Sequence, residues 1–553
     1  MATLLLSAAG SAVGGALGGS FLGITAAGIG QAAGAVAGGL IDERLLGTGA
    51  RAVETGRARS LRIQGATEGA PVAQVYGRMR VTGQLIWSTR FLETVRSSEA
   101  GGKATGGTTV REYSYSISFA VALCEGPIDR IGRVWADGKL LDLKDIVHRV
   151  HQGDETQLPD PKMEAVEGAG TVPAYRGTAY LVFEDLPLER FGNRIPQISA
   201  EVFRSVERTD DDPEAGVPLR DLVRGVALSP GTGEFALDPE PARHVFADGT
   251  GAYANINNAS GGSDLLHALD HLGAELPATE AVSLILSWFG DDLRAGQCTV
   301  RPRIEVPGRE SAPEPWSVAG LTTGTAVEVS RDPAGRPRFG GTPSDTSVIR
   351  CIRELKGRGH AVLLYPFLLM DIPPGNALPD PWDGTAGQPA FPWRGRITLD
   401  IAPGRPGSPD RTAAAADQVA AFFGTARAAD FTVSDGVVSY SGPEEWTWRR
   451  AVLHMAALAN AAGGVDAMCI GSEFRELTTI RSARTAYPAV AELVDLAAEV
   501  RALLPGAKLS YAADWSEYFG HQPNDGTGDR IFHLDPLWAD GNIDFVGIDD
   551  YTP

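Results

Sequence analysis

The stretch VSLILSWF, at Val282 to Phe289, is a continuous apolar run that ends at Gly290-Asp291-Asp292. Such a run, bounded by turn residues, is typical of a strand that is buried on both faces, as in a parallel sheet. Similar runs follow it at 361–369, 465–470, 508–513 and 543–548. Because parallel strands need long crossover connections, helices are expected between these runs.

The segments between the runs have the patterns of helices. The expected helices are Asp345–Lys356, Arg411–Phe423, Glu444–Ala461 and Ala489–Leu504. With a weakly marked strand near Arg338–Thr342, the chain supplies six βα steps. This predicts an α/β, TIM-barrel-like (β/α)8 domain over residues 281–553, incomplete after about six strands. A piece of a longer protein, an open half-barrel and completion by a partner are the alternatives.

Polar residues follow the last three predicted strands, where the active sites of such barrels lie. They are Glu473 after strand four, Asp514, Trp515 and Glu517 after strand five, and Asp549, Asp550 and Tyr551 after strand six. Glycoside hydrolysis needs two carboxyl groups, one as acid and one as nucleophile or base. Glu473 is therefore the candidate catalytic acid/base, and the others are candidate substrate-binding residues.

Aromatic side chains near this rim could stack on sugar faces. The candidates are Trp288, Trp515 and Tyr551. Structural roles compete with these assignments, because a carboxylate after a strand can begin a helix or cap a loop. The Pro-rich stretch 372–409 predicts a long loop over the barrel mouth or an assembly contact.

The first half of the chain has the alternation of β-structure. Apolar residues at 113, 115, 117, 119, 121 and 123 alternate with small or polar ones, and Asp137-Gly138 predicts a hairpin turn. These patterns predict a mainly β domain at residues 56–210. Residues 211–280 are expected to form a linker and connecting elements.

The first 55 residues form a separate Gly/Ala-rich segment, which has no charged side chain from Ala2 to Ile41. A secretory signal is disfavoured because it needs a basic start and a short apolar core. Burial between subunits, membrane contact by residues 2–41 and disorder are the alternatives.

Composition excludes several function classes. The 553 residues carry a net charge of −20, which disfavours specific nucleic-acid binding as the main task. Four scattered cysteines do not make a disulfide framework. The pairs His148/His151 and His267/His271 have no third ligand at a recognisable spacing, so neither a metal site nor a cofactor is expected.

Three phrases in the first half resemble phage tail-tip proteins. They are APVAQVYGRMRVTGQLIW at 70–87, SYSISFAVALCEGPIDRIGRVWADGK at 114–139 and AYRGTAYLVFEDLPLERFGNRIPQISAEV at 174–202. They look like the baseplate (tail-tip) hub protein of gene transfer agents and, more distantly, the central tail-tip protein of lambda-like phages. The resemblance implies a homotrimer in a virion-like particle tail, assembled in the bacterial cytoplasm, whose partners are other baseplate proteins such as the hub and distal tail proteins.

The second half resembles the glycoside-hydrolase TIM-barrel-like domain of the same proteins. GSE at 471–473 matches the region that carries the acid/base Glu, and DFVGIDDY at 544–551 resembles the strand-six region. Ser472 stands where the family usually has Asn, and the strand-seven nucleophile would lie beyond Pro553. The resemblance therefore favours a structural hub that attaches to the host and delivers DNA. The alternative is a glycan-binding module or a cell-envelope glycoside hydrolase on the tail tip, not active as this chain.

Overall fold

The computed structural model describes residues 71–100, 108–205, 217, 219–229, 232–258 and 260–550, with three short strands at Ser20–Phe21, Ile24–Thr25 and Ala52–Thr55. The chain divides into two compact units, Met1–Pro218 and Leu219–Pro553. Apart from these strands, the expected Gly/Ala-rich segment 1–55 lies outside the described residues. In the described part of the chain, no helix has the length and apolar character to cross a membrane.

The first unit has two larger sheets, besides the antiparallel pair Ser20–Phe21 and Ile24–Thr25. One contains Gln84–Ser88, Leu92–Ala100, Thr108–Glu125, His148–His151 and Thr178–Pro187, with Ala52–Thr55. The other is antiparallel, in the order Gly77–Thr82, Ile198–Arg204, Arg130–Ala136 and Lys139–Leu141. The helix Pro161–Glu167 and the 3-10 turn Glu189–Phe191 complete the described part of the unit. The expectation of mainly β structure is confirmed.

The core of the first unit lies between the inner faces of these sheets. Ile117 and Phe119 of the longest strand are fully buried, and the Phe119 ring stacks on Phe183 at a centroid distance of 5.0 Å. Val134 and Val202 of the four-stranded sheet belong to the same core. The apolar positions of the alternation lie in this core, and Ser118 and Ala120 between them are buried as well, on the opposite face of the strand.

The hairpin turn at Asp137-Gly138 is confirmed. It joins Arg130–Ala136 to Lys139–Leu141, and both turn residues have positive φ, 52° and 79°. Asp and Gly tolerate this left-handed conformation better than other residues.

The second unit contains a parallel sheet of six strands. In spatial order, strands one to six are Gly225–Leu228, Ala281–Gly290, Ala361–Met370, Ala467–Ser472, Lys508–Asp514 and Gly547–Asp549. Val300–Arg301 pairs antiparallel with strand two. Strand six pairs with strand five and has no second neighbour among the described residues. The sheet is thus an open half-barrel, as expected from the six βα steps.

Helices connect the strands where the sequence predicts them. The longer ones are Asp264–Glu275, Asp345–Gly357, Ala413–Phe423, Trp448–Ala461 and Pro488–Leu503. The short ones are Leu219–Leu222, Arg475–Thr478, Trp515–Tyr518 and Asp535–Trp538, with 3-10 turns at Arg394–Arg396 and Ala428–Asp430. Small strands line the loops at Arg243–Val245, Gly251–Tyr253, Arg303–Ile304, Glu310–Ala312, Ser317–Val318, Leu321–Thr322, Val327–Glu328, Phe431–Ser434 and Val437–Tyr440.

One predicted strand is wrong. Residues 338–342 form no strand, because this segment packs as a loop against residues 232–234, with Gly233 N–H facing the Gly341 carbonyl. Gly225–Leu228 is strand one instead, and it pairs in parallel with strand two from Ala281. This strand lies within residues 211–280, which the sequence predicts to be a linker with connecting elements. Four residues are too few to show the apolar pattern of a strand.

Candidate functional site

Strand four ends at Ser472 and delivers Glu473 to the carboxyl edge of the sheet. Glu473 is only 3% exposed, and its backbone N–H donates to the Ala512 carbonyl at 2.9 Å. Its φ of 51° is in the left-handed region, which costs a non-glycine residue roughly 1 kcal/mol or more. Glu473 therefore occupies a position at which the backbone conformation alone would favour glycine.

Two neighbours from the Pro-rich loop hold the Glu473 carboxylate. Trp393 Nε1 donates to Glu473 Oε2 at 2.6 Å, and Arg394 Nη2 lies 3.0 Å from the same oxygen. Arg394 also donates to the Ser472 carbonyl at 3.0 Å and to Ser472 Oγ at 2.9 Å. Its guanidinium stacks on the Phe367 ring at 3.9 Å. The loop thus closes over the end of strand four, as expected for a rim loop.

Asp549, at the end of strand six, completes this cluster. Tyr365 OH donates to Asp549 Oδ2 at 2.5 Å, and the Asp549 carboxyl also hydrogen-bonds the side chain of Glu473. Burial, followed by the nearby negative charge of Glu473, raises the pKa of Asp549 above its usual value. The hydrogen bond from Tyr365 and the charge of Arg394 oppose this rise.

The surroundings of Glu473 limit its chemistry. A catalytic acid must reach a substrate oxygen. The Glu473 carboxylate is instead buried and held by Trp393 and Arg394. In this arrangement Glu473 anchors the Pro-rich loop to the end of strand four.

Strand five places its carboxylates in structural positions. Asp514 caps the short helix Trp515–Tyr518, and its side chain accepts from Ser516 N at 3.0 Å. Glu517 is buried and accepts from Thr478 Oγ1 at 2.7 Å and from Asp514 N at 2.8 Å. Tyr511 OH donates to the same carboxylate at 3.1 Å. These contacts make a capping box rather than a substrate contact.

The buried groups around Glu517 have shifted pKa values. Burial raises the pKa of Glu517 to about 7, against the hydrogen bonds from Thr478, Asp514 and Tyr511. Burial, with the charge of His521, lowers the pKa of His533 to about 4. His533 Nε2 lies 3.3 Å from the Thr478 hydroxyl, so Thr478 links the two groups.

The candidate sugar-stacking residues have different environments. Trp515 is 44% exposed and lies beside Phe519 at a ring distance of 6.0 Å. Trp288 is 2% exposed and packs against Trp446 and His454. Its ring is buried in the core, and its assignment as a substrate-binding residue stays a prediction.

The structure brings Glu473 close to Asp549, and Asp514 into contact with Glu517. Asp550 is exposed, and Tyr551 lies outside the described residues. Sequence reasoning did not find Tyr365, Trp393 and Arg394. Only the position of the Pro-rich loop indicated that its residues reach the mouth of the sheet.

Potential metal ligands do not cluster in the described ranges. Among those residues, no group of three His, Cys, Asp or Glu side chains is arranged to hold a metal ion. His151 instead lies 3.0 Å from Asp160 and stacks on Tyr180.

Comparisons with known proteins give one match at the level of a family and several to solved structures. Two structures of GH113 β-1,4-mannanase, one of them a complex, are 15% and 14% identical to this chain. Each covers 51% of this chain and 55% of the mannanase chain, with a TM-score of 0.24. A comparison with curated proteins finds no match.

A closer similarity in sequence is to a chain from the virion of a native gene transfer agent (GTA) particle. It is 47% identical over 41% of this chain and 44% of that chain, with a TM-score of 0.24, so the match spans less than half of the virion chain. Residues 446–553, which contain Glu473 and Asp549, match the family described as GTA TIM-barrel-like domain. The resemblance to gene transfer agent proteins is confirmed, since residues 446–553 match their TIM-barrel-like domain.

Proposed function

We propose that this protein is a structural component of the tail tip of a gene transfer agent particle. In this proposal it is a homotrimeric baseplate hub that links the tail tube to peripheral proteins and contributes to host attachment and DNA delivery. The family match and the 47% identity to a virion chain support membership of such a particle. Its place would be the particle tail, after assembly in the bacterial cytoplasm.

The observation that best supports a structural role is the environment of the Glu473 side chain. Its carboxylate is buried, ion-paired with Arg394 and in contact with Asp549. A catalytic acid must reach a substrate oxygen, and its partner carboxylate must lie on the other side of the bond. The cluster instead fastens the Pro-rich loop to strands four and six, which suits a rigid scaffold.

The test is cryo-electron microscopy of particles in which this chain carries a carboxyl-terminal tag, labelled with an antibody fragment. We expect three labels around the tail axis at the tip. Labels at the capsid or along the tail tube, or a label number that is not a multiple of three, would contradict the proposal. A particle with the tag on its major capsid protein provides the matched control.

A second candidate function is glycan binding, and the exposed aromatic residues favour it. Trp515, Tyr518 and Phe519 are each about half exposed on or next to one short helix. Exposed aromatic rings of this kind can pack against the apolar faces of sugars. Calorimetric titration with host surface polysaccharide tests this role, with Trp515→Ala as the variant and Phe246→Ala, another exposed aromatic, as the control. Heat that is unchanged by Trp515→Ala rules this surface out.

A further inference from the structure

A cavity of about 350 Å³ lies at the carboxyl end of strand one. This volume is at the lower end of the range for small-molecule pockets, which is about 300 to 1,000 Å³. The walls come from the turn 233–236, the strand Arg243–Val245, the helix Asp264–Glu275 and the loop after strand two. In the described part of the chain, the cavity shares no lining residue with the Glu473 cluster.

Glu234, in the turn after strand one, contributes a buried carboxyl group to the cavity wall. The residue is only 5% exposed, and its Oε1 accepts from the Glu305 backbone N–H at 2.8 Å. Its Oε2 has no hydrogen-bond partner among the described residues. The cavity therefore contains a buried acceptor that a ligand can use.

The surrounding backbone fixes the position of this carboxyl group. The Ser344 N–H donates to the Glu234 carbonyl at 2.9 Å, which holds the turn in place. Gly341 packs directly against the side chain, because a Cβ there would lie 2.5 Å from Glu234 Cγ and 2.9 Å from Oε1. The acceptor is thus preorganised, and little ordering remains to be done when a ligand binds.

The charged groups that line the cavity are carboxyl groups. Glu234, Asp264 and Glu305 supply them, and among the described residues no Lys or Arg side chain lines the cavity. The undescribed residues next to these wall segments in sequence, 230–231 and 259, are Pro, Gly and Ala and carry no charge. The cavity therefore attracts a cation.

Glu234 is the carboxyl group of this set that has no counter-charge. The side chain of Asp264 accepts from the Asn257 N–H at 2.8 Å, and Glu305 pairs with Arg309 at 3.3 Å. Burial raises the pKa of Glu234 above its usual value, the Glu305 N–H opposes this rise, and the charge of Glu305 adds to it. A buried carboxylate of this kind gains from a cationic ligand.

Most of the remaining wall is apolar. Burial and the charge of Arg309 lower the pKa of His244, so its ring, which packs edge-on against Phe235 at 6.1 Å, is neutral at pH 7. The apolar lining residues are Leu228, Phe235, Ala236, Ala254, Leu265 and Ala268. An apolar wall beside one buried carboxyl group suits an alkyl chain that ends in a cation.

We propose that this cavity binds the primary ammonium group of an alkylamine, either a small free amine or the end of a lysine side chain from another protein. An ammonium group is a compact point charge, which a single carboxylate oxygen can receive. A guanidinium group is matched by both oxygens of a carboxylate, and Glu234 has only Oε2 left. The alkyl chain then lies against the apolar wall.

The test is an NMR titration of the full chain with n-butylammonium, with n-butanol as the neutral analogue. We expect n-butylammonium to bind about tenfold or more tightly, because only the ammonium group pairs with Glu234. A blocked pentapeptide with one lysine among glycines distinguishes the two sources of the amine. Tighter binding of the peptide than of n-butylammonium assigns the site to a lysine side chain, and weaker binding assigns it to a small amine.

Two variants test the site from opposite walls. Glu234→Gln removes the charge, keeps the Oε1 acceptor and should weaken n-butylammonium binding about tenfold or more. Ala268→Leu, at an exposed helix position, fills the cavity and should weaken binding as well, and it provides the test if Glu234→Gln does not fold. The matched controls Glu310→Gln and Ala274→Leu change exposed residues outside the lining and should bind as wild type does.

Four outcomes would overturn the inference. They are no binding of n-butylammonium, equally tight binding of n-butanol, unchanged affinity in Ala268→Leu, or an equal loss in the control variants. Equal binding of n-butanol would show that the cavity selects an alkyl chain without its charge. The titration does not depend on where the chain lies in a particle, so its failure leaves the proposed function standing.

Discussion

Arg394 and Glu473 form an ion pair across the mouth of the half-barrel, with 3.0 Å between Nη2 and Oε2 and only 4% of each side chain exposed. Arg394 comes from the loop after strand three, and Glu473 directly follows strand four. The pair therefore connects the longest loop of the second unit to its sheet.

Replacing Arg394 by alanine should destabilise the second unit strongly. The change leaves the Glu473 carboxylate buried without its cation, which typically costs about 3 to 5 kcal/mol. Urea unfolding followed by tryptophan fluorescence measures the loss. Arg336→Ala, which removes an ion pair between the exposed Arg336 and Asp332, should change the midpoint little, because solvent screens such a pair. Equal midpoints for the two variants would show that the buried pair adds nothing.

The buried carboxyl of Glu517 should make stability fall as pH rises. Its pKa is 4.5 when unperturbed and about 7 in the folded chain, so between these values the folded state binds more protons than the unfolded state. Stability is then lost at up to about 1.4 kcal/mol per pH unit across this window. The difference between wild type and Glu517→Gln, measured by urea unfolding from pH 4.5 to 7, should carry this slope. The prediction is contradicted if the stability difference does not change with pH. It is also contradicted if the exposed control Glu444→Gln shows the same slope.

The buried imidazole of His533 should make stability fall as pH decreases, which is the opposite of the effect of Glu517. Its pKa falls from 6.5 to about 4 on folding, so the unfolded state binds more protons in this range and stability is lost as pH falls through it. Stability measurements on His533→Gln should show a smaller loss than wild type on acidification. The exposed His271→Gln serves as the control. Identical acid profiles for His533→Gln and wild type would be evidence against a neutral buried imidazole.

Gly547 should not tolerate alanine. A Cβ at this position of strand six would lie 2.6 Å from the Tyr511 carbonyl oxygen of strand five. The strand would have to move, at a cost of about 1 to 3 kcal/mol. Gly541→Ala is the matched control, because a Cβ there meets nothing within 4 Å. Hydrogen exchange of strand five amides would detect the change, and equal protection in both variants would argue against a close strand contact.

We expect no glycoside hydrolysis by this chain. The Glu473 carboxylate is buried and ion-paired with Arg394, so it does not reach a substrate oxygen in this arrangement. Reducing-sugar release from a panel of β-linked polysaccharides tests this, with Glu473→Gln as the background control. Release by wild type that is abolished in Glu473→Gln would establish catalysis and reverse this conclusion.

The sequence predicted the helices and strands whose apolar pattern extends over many residues or whose ends are marked by turn residues. The runs at Val282 and Ala361 are long strands buried in the sheet, and the helix predicted from Asp345 begins at that residue. Strand one was missed because Gly225–Leu228 has only four residues and gains its stability from pairing with strand two. Local pattern cannot report such a long-range partner.

The candidate site was predicted only in part, because only some of its residues directly follow a recognisable strand. Glu473 and Asp549 could be placed because both follow predicted strands, whose carboxyl ends share one edge of the sheet. Arg394 and Tyr365 come from a loop and from inside a strand, where no spacing marks them. The burial of Trp288 was missed because a strand that is covered on both faces gives no sign of which side its aromatic ring occupies.

Strand six has a consequence for solubility. Its outer edge has no neighbour among the described residues, and unpaired strand edges promote aggregation between copies. Gly547–Asp549 has only three residues, and the exposed acidic residue Asp550 follows it directly. A short edge strand with a charged residue beside it offers a second chain little to pair with, so this edge is protected against strand addition.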